Sequence, residues 1–86
     1  MISIHMIGGL HNQLNLPQKQ KMIDVDYAIG FTEALQLCGL ERVPDWMAEK
    51  VRVTYKGKHY SFNEAVESLK VEPGCSVMLF RVVCGG

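Results

Sequence analysis

The residues with most chemistry to offer stand together in Phe80-Arg81-Val82-Val83-Cys84-Gly85-Gly86, where an apolar segment runs into two glycines. Glycine lacks a Cβ and takes backbone conformations closed to other residues, so a diglycine end can thread a narrow channel and present its carboxylate to another protein's active site. That carboxylate, an anion at neutral pH, can attack the α-phosphate of a bound ATP and become an acyl adenylate, which is then open to a sulfur nucleophile. The competing reading is an idle, merely flexible tail. Cys84 lies two residues from the carboxylate, close enough for a disulfide with a partner or a thioester within the tail. With no Lys, His or helix N-terminus near it in sequence to activate it, a tolerated small residue is the ordinary expectation. Arg81 suits an acidic rim on a partner, where exposed charges chiefly tune the association rate.

Elsewhere the catalytic inventory is thin. His5, His11 and His59 are widely spaced, and neither a His-x-x-Glu-His nor a Gly-x-Ser-x-Gly string occurs. His59, between Lys58 and Tyr60, reads as an exposed hairpin residue. The three cysteines have no CxxC spacing and signal neither a disulfide framework nor a zinc knuckle, so they are read as reduced thiols. Cys38 is expected as a small core hydrophobe on a helix and Cys75 as an inert turn residue. No side-chain active site, no metal and no bound cofactor are expected.

The elements that would position the tail follow from periodicity. Met1 to Ile7 sets Ile2, Ile4 and Met6 against Ser3, His5 and Ile7 and ends at Gly8-Gly9, a first strand and its turn. Leu10 to Lys21 is too polar for a core strand and predicts a wide hairpin or loop, with a second strand over Lys21 to Val25. Asp24 and Asp26 are candidate N-caps for a helix whose face is Tyr27, Phe31, Ala34, Leu35 and Cys38, ending at Gly39. Gly30 within it costs about 1 kcal/mol relative to Ala. A short segment, Trp46 to Lys50, precedes a strand at Val51 to Tyr55, a tight Lys56-Gly57 turn and a return through Lys58 to Tyr60. Ser61-Phe62-Asn63-Glu64 has capping-box spacing ahead of a short helix with Ala65, Val66 and Leu69 as its apolar face. Pro73-Gly74 turns the chain into its strongest strand, Ser76 to Cys84. The fold class is therefore α+β: a mixed sheet of about five strands, one main helix across one face and a short second helix.

Composition agrees with one small folded domain over residues 1–86. Hydrophobic residues make up 48% and charged residues 21%, near the globular average. Nine Lys and Arg balance nine Asp and Glu, leaving no basic field for nucleic acid or anionic lipid. The longest apolar runs fall far short of the roughly 20 residues of a membrane helix, and the first ten residues lack a basic n-region. No nucleic-acid partner, no membrane partner and a cytoplasmic location are expected.

The segment Glu72-Pro73-Gly74-Cys75-Ser76-Val77-Met78-Leu79-Phe80-Arg81-Val82-Val83-Cys84-Gly85-Gly86 resembles the sulfur-carrier proteins of thiamine biosynthesis, which end in a Gly turn, an apolar strand with Leu-Phe, a Val two residues later and Gly-Gly. The likeness extends more loosely over Val51 to Leu69. The element order is similar to the ubiquitin-like β-grasp fold shared by that family, the small subunit of molybdopterin synthase and ubiquitin. The resemblance implies a carrier rather than an enzyme. An E1-like adenylyltransferase would adenylate Gly86 with Mg-ATP, sulfur from a cysteine desulfurase would replace the adenylate, and the thiocarboxylate would pass to a thiazole synthase-like acceptor. Gly86 would carry the sulfur and Gly85 would give access. The chain departs from the pattern in being longer, with the excess in Leu10 to Lys21 and around Glu41 to Lys50.

In the last strand Val77 and Leu79 point to one face and Met78, Phe80 and Val82 to the other, and both sets are apolar. The ubiquitin-like likeness puts Val77 and Leu79 in the core. Met78, Phe80 and Val82, with Arg81 and Cys84, would then form a partner-binding surface beside the tail. A weak homodimer, or an extra layer from the longer segments, is the alternative cover for that face. Arg81 to Gly86 can extend roughly 20 Å at about 3.3 Å each, enough to reach a partner's nucleotide site. Three further readings stay open: a molybdopterin or tungstopterin carrier, a protein modifier joined to lysines as ubiquitin is, and a non-covalent binding module.

Overall fold

Alternation in β1 (Ile2–Ile7) buries Ile2, Ile4 and Met6 and leaves Ile7 exposed, so the strand has one covered face. The same pattern recurs in β4 (Val51–Tyr55), where Val51, Val53 and Tyr55 are buried, and in β7 (Ser76–Arg81), where Val77 and Leu79 are. These register with one another. Leu79 lies opposite Met6 on one side and Val53 on the other, and Val77 lies between Ile4 and Tyr55. With β2 (Gln20–Ile23) and β5 (Lys58–Ser61) at the edges, the computed structural model, which describes residues 1–82, forms a five-stranded mixed sheet in the order β2-β1-β7-β4-β5. The β1–β7 pairing is parallel and the others are antiparallel.

Four short helices supply the other layer: α1 (Leu10–Gln13), α2 (Phe31–Leu37), α3 (Trp46–Lys50) and α4 (Phe62–Ser68). Their buried residues, among them Leu10, Phe31, Leu35, Met47, Phe62 and Ala65, join the inner face of the sheet in one core. Phe31 and Phe62 meet edge to face with ring centroids 5.6 Å apart, which locks α2 against α4. The expected single main helix and lesser second one are instead two helices of seven residues each, accompanied by two shorter ones.

Local signals explain where these elements stop. The capping box at α4 is formed in full: the Glu64 amide donates to Ser61 Oγ at 3.1 Å and the Ser61 amide to Glu64 Oε1 at 3.0 Å. Hydrogen bonding to the carboxylate from the Ser61 amide, and secondarily from its hydroxyl, stabilises the ionised form and holds the Glu64 pKa below its ordinary value. α2 ends in a Schellman turn. Gly39 adopts φ 103°, its amide donates to the Gln36 carbonyl and the Leu40 amide to the Leu35 carbonyl, each at 3.0 Å. Between β4 and β5, Lys56 and Gly57 both take left-handed φ, 51° and 76°, as a type I′ hairpin requires.

Three expectations are corrected. α2 begins at Phe31 rather than behind Asp24 or Asp26, and Tyr27, placed on its buried face, is 61% exposed. The reason is tertiary: Ile29–Gly30 (β3) stays extended to pair with Lys70–Val71 (β6), and the Phe31 amide donates to the Leu69 carbonyl. A two-residue bridge thus outweighs the cap signals upstream. Within Leu10 to Lys21, α1 occupies what was expected as loop, and β2 starts at Gln20 and ends at Ile23 rather than spanning Lys21 to Val25. On α4 the buried residues are Phe62 and Ala65, while Val66 is exposed.

The facing of β7 is testable by truncation. Leu79→Ala removes a fully buried side chain contacted from both sides and should cost about 3 kcal/mol in urea unfolding. Met78→Ala, on the exposed side, should cost less than about 1 kcal/mol. Equal losses would mean that the outer face is covered.

Candidate functional site at the end of the central strand

β7 delivers its C-terminal end between two fixed neighbours. Ile7 pairs with Phe80 on one side and Val51 with Arg81 on the other, and the Val82 amide donates to the Lys50 carbonyl at 2.7 Å. Bonds from both sides hold the strand as far as Phe80, and the β4 side holds it on to Val82. Cys84, Gly85 and Gly86, expected to carry the tail chemistry, lie outside the described residues.

Arg81 at that point is exposed but held. Its Nη1 donates to Gln13 Oε1 at 2.9 Å, and its guanidinium carbon lies 5.2 Å from the centroid of the Trp46 ring. Gln13 belongs to α1 and Trp46 to α3, so two helices remote in sequence meet at the guanidinium. A planar guanidinium stacked on an aromatic and bonded at one edge keeps its other N–H groups for an acceptor outside. Sequence reasoning chose Arg81 and missed both supports, because each is fixed only when its helix docks beside the sheet.

The uncovered face of the sheet carries an apolar stretch wider than β7 alone. Met78 is 40% exposed, while Phe80 and Val82 are half-buried. Ile7 and Met22, 46% and 50% exposed, extend the patch across β1 and β2 on the same face. Ile7 was visible in the alternation of β1, but only the parallel β1–β7 register brings it opposite Phe80. One cross-sheet row contains His5, Met78, Thr54 and His59. In that row His59 Nδ1 lies 3.0 Å from Thr54 Oγ1, an ordinary cross-strand contact at an exposed position.

Among the described residues no group of three or more His, Cys, Asp or Glu side chains could hold a metal ion. Likewise, no helix among them is long and apolar enough to cross a membrane. Cys38, expected on the helix face, caps the C-terminal end of α2, partly enclosed and packed against the core; burial pushes its thiol up to about 11, with Lys21 acting the other way. Cys75 occupies the turn before β7, half-buried.

Two measurements follow. At neutral pH the Cys38 thiol should remain protonated and react much more slowly with a thiol reagent in the native protein than in urea. A folded-state value above the ordinary one also means that the stability tied to this thiol is present below pH 9 and is lost as the pH rises toward about 11. For the rim, a double-mutant cycle of Arg81→Ala and Trp46→Ala should give a coupling of about 0.5–1 kcal/mol. A coupling of zero would show that the stacking does not hold Arg81 in solution.

Compared with family models, with curated proteins and with solved structures, the chain finds no match in any of the three.

Proposed function

We propose that this protein is a ubiquitin-like sulfur carrier, in which a β-grasp sheet presents a C-terminal segment to partner enzymes and Gly86 bears the reacting carboxylate. An E1-like adenylyltransferase, using Mg-ATP, converts that carboxylate to an acyl adenylate with release of pyrophosphate. The terminal sulfur of a cysteine desulfurase persulfide then displaces AMP to give an acyl disulfide, and a thiol reductant cleaves its S–S bond to leave a thiocarboxylate, which donates its sulfur to an acceptor synthase. The thiazole synthase of thiamine formation is the acceptor this reading favours, in the cytoplasm. Gly85 allows the last residues to enter the partner's channel, and Cys84 rides with them as a small residue.

The observation that carries the reading is the placement of β7. The strand leading to Val83-Cys84-Gly85-Gly86 is central, bonded in parallel to β1 and antiparallel to β4, and beside it the sheet leaves Met78, Ile7 and Met22 uncovered. A carrier needs a rigid body and an apolar surface on which the enzyme can seat it, beside the strand that leads to the reactive end. Arg81, braced by Gln13 and Trp46, supplies the charged rim between the two.

The test is an intact mass spectrum after incubation with an E1-like enzyme from the same organism, Mg-ATP, a cysteine desulfurase, cysteine and a thiol reductant such as dithiothreitol. Replacement of one oxygen by sulfur, abolished by deleting Gly86, is the expected result. No change, under conditions in which a control carrier is converted, would sink the proposal.

A further inference from the structure

We propose that the cavity between the end of β1, α1 and the approach to β2 binds the phosphate group of a small molecule. It measures about 460 Å³, within the range of roughly 300–1,000 Å³ that small-ligand sites occupy. Its polar side chains are those of His5, His11, Lys19 and Gln20, and no carboxylate lines it. In a chain with as many acidic as basic residues, a wall of this composition selects the sign of its ligand.

The backbone favours the same ligand. Gly8 and Gly9, which also line the cavity, adopt left-handed φ of 69° and 79°, and a Cβ built on either would meet nothing within 4 Å. A bare left-handed glycine pair lets ligand oxygens approach the main chain where side chains would bar them. His11 adds a third observation. Its Nδ1 is enclosed and has no hydrogen-bond partner among the described residues. The His11 ring lines the cavity, and an imidazole N–H is a donor that a phosphate oxygen can use. Lys19 contributes a point charge of the kind that binds phosphate well. A divalent cation would find an ammonium and no anionic ligand here.

The proposal does not rest on the carboxylate chemistry at Gly86, although the cavity shares Ile7 with the apolar face of the sheet. Its test is an amide NMR titration of the full chain with inorganic phosphate, phenyl phosphate and acetate at constant ionic strength. Both phosphate probes should give saturable shifts centred on Gly8, Gly9, His11 and Lys19, phenyl phosphate the tighter of the two, and acetate none. Lys19→Gln and His11→Asn should each weaken binding about tenfold, and deletion of Gly85 and Gly86 should leave it unchanged. Should His11→Asn fail to fold, the exposed Lys19→Gln decides alone. Shifts that do not saturate, that spread over all surface lysines or that survive Lys19→Gln would overturn the proposal, as would an equal response to acetate.

Discussion

Everything in this fold depends on β7 being zipped from both sides. The strand pair β1–β2 and the hairpin β4–β5 have no ladder with each other; each pairs with β7, and only through it do they become one sheet. Val77 and Leu79 are wholly buried between side chains of β1 and β4, so the same strand that joins the two halves also fills the centre of the core. Its partners lie far away in sequence, Met6 seventy-odd positions upstream of Leu79, and the chain must close long loops before these contacts stabilise anything. Cooperativity is the expected result: a partly folded chain lacking β7 keeps neither the sheet nor the floor beneath the helices.

The helical layer is built from short pieces, and their joints explain how they hold. None of the four exceeds seven residues, a length at which isolated helices are unstable in water. α4 is fixed by its capping box, α2 by its Schellman turn and by the β3–β6 bridge that ties its first residue to the end of α4. Packing does the rest, through Phe31, Phe62, Met47 and Leu10 over the inner face.

What was legible in the sequence is what local chemistry fixes. The strand at Val51–Tyr55, the Lys56-Gly57 turn and the Ser61–Glu64 box all follow from period, turn stereochemistry or a reciprocal pair of hydrogen bonds, whereas the inward facing of Val77 and Leu79 comes from the ubiquitin-like likeness, since both faces of their strand are apolar. What was not legible depends on partners remote in the chain. β3 and β6 are two residues each, too short to show a period, and their pairing moved the start of α2 past two plausible caps. α1 is one turn with no capping side chain, held because Leu10 and Leu14 are buried. At the candidate site the strand was readable, whereas Gln13 and Trp46 became neighbours of Arg81 only through docking.

The parallel course of β1 and β7 has a mechanical side. Because β7 is flanked on both edges, a pull on its C-terminal end along the strand axis loads both ladders in shear, and their bonds must yield together rather than one after another. A load applied to that end would therefore meet a stiff body, in which two ladders share the force.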